Sequence, residues 1–183
     1  MGADTRRIAD DFVQLWGRLG PLWGVTPVAA RMYAWLLCQA EPQEAEVIGE
    51  TLGISRGAVS MGCAELVDWR LVHADRVAGS RRIVYRPETD PERVIRSIVQ
   101  TRKRREWDPI LEHLRPWLAD LRGDRSAEAA RLRARLEAIE RLITVADEFA
   151  DRFLQGSRVQ RLGLKAVVAF ARGSASRKVR RTP

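Results

Sequence analysis

The chain has 183 residues, of which 45% are hydrophobic and 31% charged, and its formal net charge is +8. This length and hydrophobic content predict one globular domain, alone or with an appendage, and exclude a wholly disordered chain. No apolar run approaches the roughly 18 residues that suggest a membrane span. Residues 1–7 lack the apolar core of a signal peptide, so we expect a cytoplasmic protein that does not enter membranes.

Two helices are predicted before residue 41. Residues 5–20 have the spacing of an amphipathic helix that ends at Gly20-Pro21, and its apolar face comprises Ile8, Phe12, Leu15, Trp16 and Leu19. Thr26-Pro27 then predicts the start of a second helix, because threonine is a good N-cap and proline suits the first helical position. This helix should extend to about residue 40 and bury Ala30, Tyr33, Ala34, Leu37 and Cys38.

Residues 45–66 show the pattern of a helix-turn-helix. Apolar residues recur at helical spacing in both halves, at Ala45, Ile48 and Leu52 and then at Val59, Cys63 and Leu66. Gly53-Ile54 supplies the turn, and Ser55 is a good N-cap for the second helix. The outward face of that helix is small, polar and basic, and comprises Arg56, Gly57, Ser60 and Met61. Such a face suits the major groove of DNA.

A basic hairpin is predicted directly afterwards. Residues 71–77 and 83–86 are two β-prone runs, and the turn between them contains Gly79 and the adjacent Arg81 and Arg82. A hairpin of this kind would place guanidinium groups beside the DNA backbone or in a minor groove. The alternative is a surface hairpin with solvated charges, which the preceding helix-turn-helix pattern disfavours.

Helices should fill the rest of the chain. Residues 89–92 (TDPE) predict the start of a helix that extends to about residue 106, and residues 109–121 form a shorter apolar-stripe segment. Ser126 should cap a long helix over residues 127–154. Its apolar residues follow a heptad spacing: Leu132, Leu136, Ile139, Ile143, Ala146, Ala150 and Phe153. This seam could pack on its own domain, but we favour packing against a second copy, because the DNA-binding unit already has a core.

These elements predict a mostly α fold, a winged helix-turn-helix with a small β-hairpin wing and additional N- and C-terminal dimerisation helices. The DNA-binding domain should occupy residues 25–87, with an N-terminal helix of the dimer layer at 5–24 and a helical dimerisation region at 88–171. Residues 158–171 would form a weaker apolar helix. Residues 172–183 contain five basic residues and no acid, and we expect them to form a disordered tail.

The sequence offers little for catalysis. Its two histidines, His73 and His113, have no nucleophile or metal ligand at a meaningful spacing. Cys38 and Cys63 form no CxxC motif and should behave as small hydrophobic residues, although a redox role for Cys63 is an alternative. We therefore predict no catalytic residue, no cofactor and no metal site.

Three of the six tryptophans, Trp16, Trp23 and Trp35, lie in the first 40 residues. Tryptophans at helical spacing usually belong to a core or an interface. The alternative is an aromatic cage for a cationic or apolar effector, so these three are the candidate effector-binding residues.

Several of these segments together resemble one family. Residues 12–20 (FVQLWGRLG), 53–61 (GISRGAVSM), 65–72 (ELVDWRLV), 79–82 (GSRR) and 89–92 (TDPE) are similar to the GbsR-type branch of the MarR-like transcriptional regulators. The resemblance spans about residues 8–120, and residues 54–61 are its most specific part. It implies a dimeric winged-helix repressor whose helical ends pair, with some members responding to osmolyte-related molecules such as choline.

The resemblance also assigns residues. It implies DNA contact by Ser55, Arg56, Gly57, Ser60 and Met61 in the recognition helix and by Arg81 and Arg82 in the wing. The chain departs from the family at Arg70, where glycine is usual and would suit a left-handed helix C-cap. A non-glycine residue there costs about 1 kcal/mol.

We therefore expect a homodimeric, sequence-specific regulator of transcription, a repressor controlled by a small-molecule effector, with double-stranded DNA as its partner. The alternative is a charge-driven architectural or accessory DNA-binding protein without effector sensing. A third possibility is a winged helix used for protein–protein assembly.

Overall fold

The computed structural model describes residues 2–156, so the predictions for residues 158–171 and 172–183 lie outside the described residues. The helices are α1 (Ala3–Leu19), α2 (Pro27–Leu37), α3 (Ala45–Leu52), α4 (Arg56–Asp68), α5 (Pro91–Arg102), α6 (Asp108–Gly123) and α7 (Ala127–Gln155). The strands are β1 (Gln43–Glu44), β2 (Val72–Arg76) and β3 (Ile83–Pro87), and short 3-10 and π turns occupy Gly20–Trp23 and Lys103–Trp107. The chain divides into two compact units between Arg102 and Lys103.

The core of the first unit forms around α2. Thr26 caps this helix as predicted, since its hydroxyl oxygen accepts a hydrogen bond from the Ala29 N–H at 3.4 Å. Helices α1 and α4 and strand β3 all contact α2, which is therefore buried around most of its circumference. Met32 and Leu36 are fully buried as a result, whereas Leu37 and Cys38, predicted to be buried, are only half-buried.

The buried face of α1 differs in part from the predicted one. Ile8 and Leu15 are exposed, and the buried residues are Val13 and Gly17. A methyl group at Gly17 would lie 2.5 Å from the Arg31 Cγ, so the absence of a side chain lets the two helices approach closely. The apolar spacing located the helix correctly, and Phe12, Trp16 and Leu19 of the predicted face are half-buried, but the closest approach to α2 is at Gly17.

The helix-turn-helix forms as predicted. Ile48 of α3 and Val59, Cys63 and Leu66 of α4 are buried in one apolar cluster with residues of α2. Gly53 makes the turn in a left-handed conformation, with φ of 63°. Thr26 ties α2 to α4, because its N–H and hydroxyl donate to the Glu65 carboxylate at 2.8 and 2.5 Å.

The predicted hairpin is present, and a third strand joins it. Strands β2 and β3 pair antiparallel from Val72 opposite Pro87 to Arg76 opposite Ile83, and β1 pairs with the other edge of β3. The turn closes with a hydrogen bond from the Val77 N–H to the Arg82 carbonyl at 3.1 Å. Strand β1 was not predicted, because two residues carry no periodic signal. A mostly helical chain with this helix-turn-helix and antiparallel sheet is a winged-helix fold.

The second unit contains the π turn, α6 and α7. Helix α6 packs against α7 and buries Leu111, Leu114 and Leu118. Lys103 of the π turn forms ion pairs with Asp147, with Asp108 at 3.2 Å and with Asp151 at 3.5 Å. These ion pairs connect the π turn to both helices.

Helix α7 begins where it was predicted, with the Ser126 hydroxyl oxygen accepting a hydrogen bond from the Ala129 N–H at 3.1 Å. The residues of the predicted heptad seam are buried to different extents. Ala150 is buried and most of the seam is half-buried, but Leu132 and Ile139 are exposed. The most exposed apolar side chains of α7 lie beside the seam, at Leu142, Val145 and Phe149, which are 72%, 66% and 74% exposed.

No helix among the described residues is both long and apolar enough to cross a membrane.

Candidate nucleic-acid interface

The first turn of α4 carries the one basic residue of the helix-turn-helix at residues 45–66, Arg56. Ser55 is its N-cap, and the Ser55 hydroxyl oxygen accepts a hydrogen bond from the Ala58 N–H at 3.3 Å. The Arg56 side chain is 94% exposed, and its nearest acidic partner, Glu46 of α3, is 4.0 Å away. An exposed pair at that distance contributes little to stability, so the guanidinium is available to an anion.

The outward face of α4 is as small as predicted. A methyl group at Gly57 would meet nothing within 4 Å, and Ser60 is exposed. Met61 is 71% exposed, which is unusual for an apolar side chain. The structure therefore brings Arg56, Gly57, Ser60 and Met61 together on one exposed face, with Ser55 at its start.

A depression runs between α3 and the start of α4. Tyr85 of strand β3 also lines it, so the sheet of the wing borders the same concave surface as α4. Glu46 and Glu50 lie in this depression beside Arg56. The surface is thus mixed in charge, with the basic residue at its N-terminal end.

The wing carries Arg81 and Arg82 in different environments. Arg82 donates a hydrogen bond from Nη1 to the Glu44 carboxylate at 2.8 Å, and its Nε and backbone N–H both donate to the Ser80 hydroxyl. Arg81 is exposed. Sequence reasoning missed Glu44, whose role depends on the unpredicted strand β1.

Cys63 lies on the buried side of α4, opposite the exposed face. Burial raises the pKa of its thiol to about 11, although a hydrogen bond with Tyr85 opposes that shift. Because the thiolate is the reactive form of cysteine, this environment disfavours the redox alternative for Cys63.

The first unit also contains an apolar cavity of about 300 Å³. Trp16 of α1 and Trp23 of the 3-10 turn both line it, but Trp35 does not and instead packs against the core. Its other walls come from α2, the end of α4 and α5, and include Tyr33, Leu66, Ile95 and Ile98. None of the lining residues is charged. Two of the three candidate tryptophans are therefore brought to one cavity.

A buried carboxylate lies next to this cavity. The Tyr33 hydroxyl donates a hydrogen bond to the Glu88 backbone carbonyl at 2.7 Å. Burial raises the pKa of Tyr33 to about 12. The Glu88 carboxylate accepts the Asp90 N–H at 2.9 Å and lies within 3.5 Å of His73 and Arg93. The pKa of the Glu88 carboxyl is lowered, mainly by the hydrogen bond from the Asp90 N–H and further by His73 and Arg93. Glu88 thus links α2, β2 and the start of α5.

The described residues contain no group of three or more His, Cys, Asp or Glu that could hold a metal ion. His113 lies within hydrogen-bond distance of the Pro109 carbonyl of its own helix, at 2.6 Å.

Comparisons with known proteins give one structural match of interest. No family model matches the sequence, and no curated protein matches it. A solved structure described as a transcriptional regulator matches with a TM-score of 0.57 and 22% sequence identity. The match covers 80% of this chain and 98% of the other. At this level of identity the similarity establishes a shared fold.

Proposed function

We propose that this protein is a sequence-specific DNA-binding regulator of transcription. The observation that carries the proposal is the exposed N-terminal face of α4, which stands beside a basic wing in the same unit. A helix that presents a cation and small side chains can enter a major groove, while a hairpin contacts the neighbouring backbone. The shared fold with a transcriptional regulator supports this function.

Within that function we propose a cytoplasmic homodimeric repressor of the GbsR-type branch of the MarR-like regulators. The sequence segments that resemble this branch include the whole of the recognition-helix start. The exposed apolar side chains of α7 offer a surface for a second copy. Two recognition helices in a two-fold dimer would read a near-palindromic site, with half-sites about one helical turn apart.

We also propose that a small-molecule effector controls DNA binding and that it occupies the cavity lined by Trp16 and Trp23. Its uncharged walls suit an apolar ligand, for which the aromatic rings supply contact area. Any effector must bind the DNA-bound and free states with different affinities, since otherwise it could not shift the equilibrium between them.

The second candidate function is charge-driven DNA binding without effector sensing. The net charge of +8 favours it, because cations attract DNA of any sequence. It predicts strong salt dependence and no preferred sequence.

Selection from genomic DNA distinguishes these functions. Purified protein is incubated with genomic fragments at about 150 mM salt, an ionic strength at which non-specific attraction is weak, and the bound DNA is sequenced. We expect one enriched near-palindrome. Fragments bound without a common motif would support the charge-driven alternative.

Arg56→Ala is the matched control for this selection. If Arg56 contacts a guanine, the substitution should weaken binding to the enriched site by roughly 1–3 kcal/mol and relax the base preference at one position. An equal loss on every sequence would instead make Arg56 a phosphate contact. Unchanged binding would remove it from the interface.

A further inference from the structure

The two wing arginines are adjacent in sequence but differ in their hydrogen bonds and ion pairs. Arg82 is held at three points, by the Glu44 carboxylate at 2.8 Å and by two hydrogen bonds to the Ser80 hydroxyl at 3.1 and 3.3 Å. Arg81 is exposed and makes no hydrogen bond or ion pair with any described residue. The Arg82 guanidinium therefore already uses two of its five N–H donors within the protein, through Nη1 and Nε, whereas the Arg81 guanidinium uses none with the described residues.

Glu44 occupies the junction between the wing and the helix-turn-helix. Its backbone pairs with Val84 of β3, and the same residue is the N-cap of α3. A glutamate beside a helix N-terminus could interact with the free N–H groups of the first turn. Its side chain makes no such capping bond and reaches Arg82 instead. The ion pair thus fixes the base of the wing to the start of α3.

The charge of Glu44 matters for a DNA-binding surface. Its side chain is 31% exposed, so an unpaired carboxylate here would repel the phosphates that approach the wing. Arg82 neutralises the charge of Glu44 as long as the two side chains remain paired. Releasing Arg82 to a phosphate would gain one contact and expose one repulsive charge.

We propose that Arg82 neutralises the Glu44 carboxylate at the base of the wing, and that Arg81 is the wing residue that contacts DNA. In this arrangement Arg82 acts through Glu44 and does not itself contact DNA. The inference rests on the proposed DNA-binding function and divides the roles of the two arginines within it.

The test is a double-mutant cycle on the full chain. DNA binding is measured by fluorescence anisotropy on a labelled duplex of about 30 base pairs that carries the enriched site, long enough for two half-sites. The variants are Arg81→Ala, Arg82→Ala, Glu44→Gln and the Glu44→Gln/Arg82→Ala pair. Because exposed ion pairs contribute little to stability, all four should fold, which circular dichroism and thermal melting would verify.

The two arginine variants should weaken DNA binding for different reasons. Arg81→Ala should weaken binding about tenfold and reduce the slope of log K against log salt by about one, since it removes a phosphate contact. Arg82→Ala should also weaken binding about tenfold, because it leaves Glu44 unpaired beside the DNA. Adding Glu44→Gln to Arg82→Ala should restore the affinity to within about threefold of the wild type, as should Glu44→Gln alone.

Other outcomes would overturn the inference. Equal weakness of Arg82→Ala and the double variant would mean that Arg82 itself contacts DNA. Wild-type affinity and salt slope in Arg81→Ala would remove Arg81 from the interface. If the wild-type protein bound no duplex at all, the proposed function would fail and this inference with it, a result distinct from normal binding without coupling between Glu44 and Arg82.

Discussion

Arg70 adopts a left-handed backbone conformation, with φ of 53°, and no other non-glycine residue among those described has a positive φ. It follows α4, where the Leu71 N–H bonds to the Leu66 carbonyl at 2.9 Å and closes the end of the helix. This bond requires a left-handed residue at position 70, which glycine adopts without steric cost. The position that the family resemblance marked as unusual is thus a strained one. The Arg70 guanidinium donates to the Gln100 side chain at 3.0 Å, a contact at the surface.

Replacing Arg70 should reveal the strain. We expect Arg70→Gly to have a free energy of unfolding about 1 kcal/mol higher than Arg70→Ala, measured by urea denaturation. Alanine is the matched control, because both variants lose the contact with Gln100 and only one retains a Cβ. Equal stability of the two variants would show that the backbone at this position carries no strain.

At the level of elements, helix α4 has two glycines in opposite environments. Gly62 faces α2, where an added methyl group would lie 2.5 Å from the Met32 Sδ. Gly57 faces open space on the proposed DNA-binding face. Gly62 therefore permits close packing of α4 on α2, and Gly57 leaves the exposed face of α4 without a projecting side chain.

These two positions give a matched pair on one helix. Gly62→Ala should lower the free energy of unfolding by about 1–3 kcal/mol, because the buried Met32 must move. Gly57→Ala should raise it by about 0.5–1 kcal/mol, because alanine is the better helix former at an exposed position. Denaturation of both variants measures these changes. A stabilising Gly62→Ala would contradict the close packing of α4 on α2.

At the scale of the whole molecule, α7 carries more exposed large apolar side chains than any other helix of the part that the structure describes. Leu142, Val145 and Phe149 are spaced by three and four residues, so they lie on one side of the helix. A contiguous apolar surface of this kind usually marks an interaction site. We propose it as part of the homodimer interface, beside the predicted heptad seam.

Charge at this surface should weaken the dimer. We expect the wild-type protein to sediment as a dimer and Leu142→Glu/Phe149→Glu to shift toward the monomer, because the substitutions would bury unpaired carboxylates at the interface. Ala130→Glu, on an exposed position of another side of α7, is the control and should remain dimeric. A monomeric wild type, or a dimer unaffected by the double substitution, would contradict this interface.

The sequence by itself determined the elements whose signals are local. The caps at Thr26, Ser55 and Ser126 and the glycine-containing wing turn depend on residues within a few positions of one another. The apolar spacing of α4 also identified both its buried side and its exposed side, since that helix has one face toward the core. For these reasons the winged-helix fold and the exposure of Arg56, Gly57, Ser60 and Met61 were predictable.

Only the tertiary structure decided the contacts between distant segments. Glycine contacts set the α1–α2 interface, and α2 is buried on more sides than an amphipathic pattern implies. The cavity joins Trp16 to Trp23 and leaves out Trp35, although all three looked alike in sequence. The pairing of Glu44 with Arg82 across 38 positions depends on a two-residue strand without a sequence signal. Such contacts arise from how the elements pack, which local periodicity does not encode.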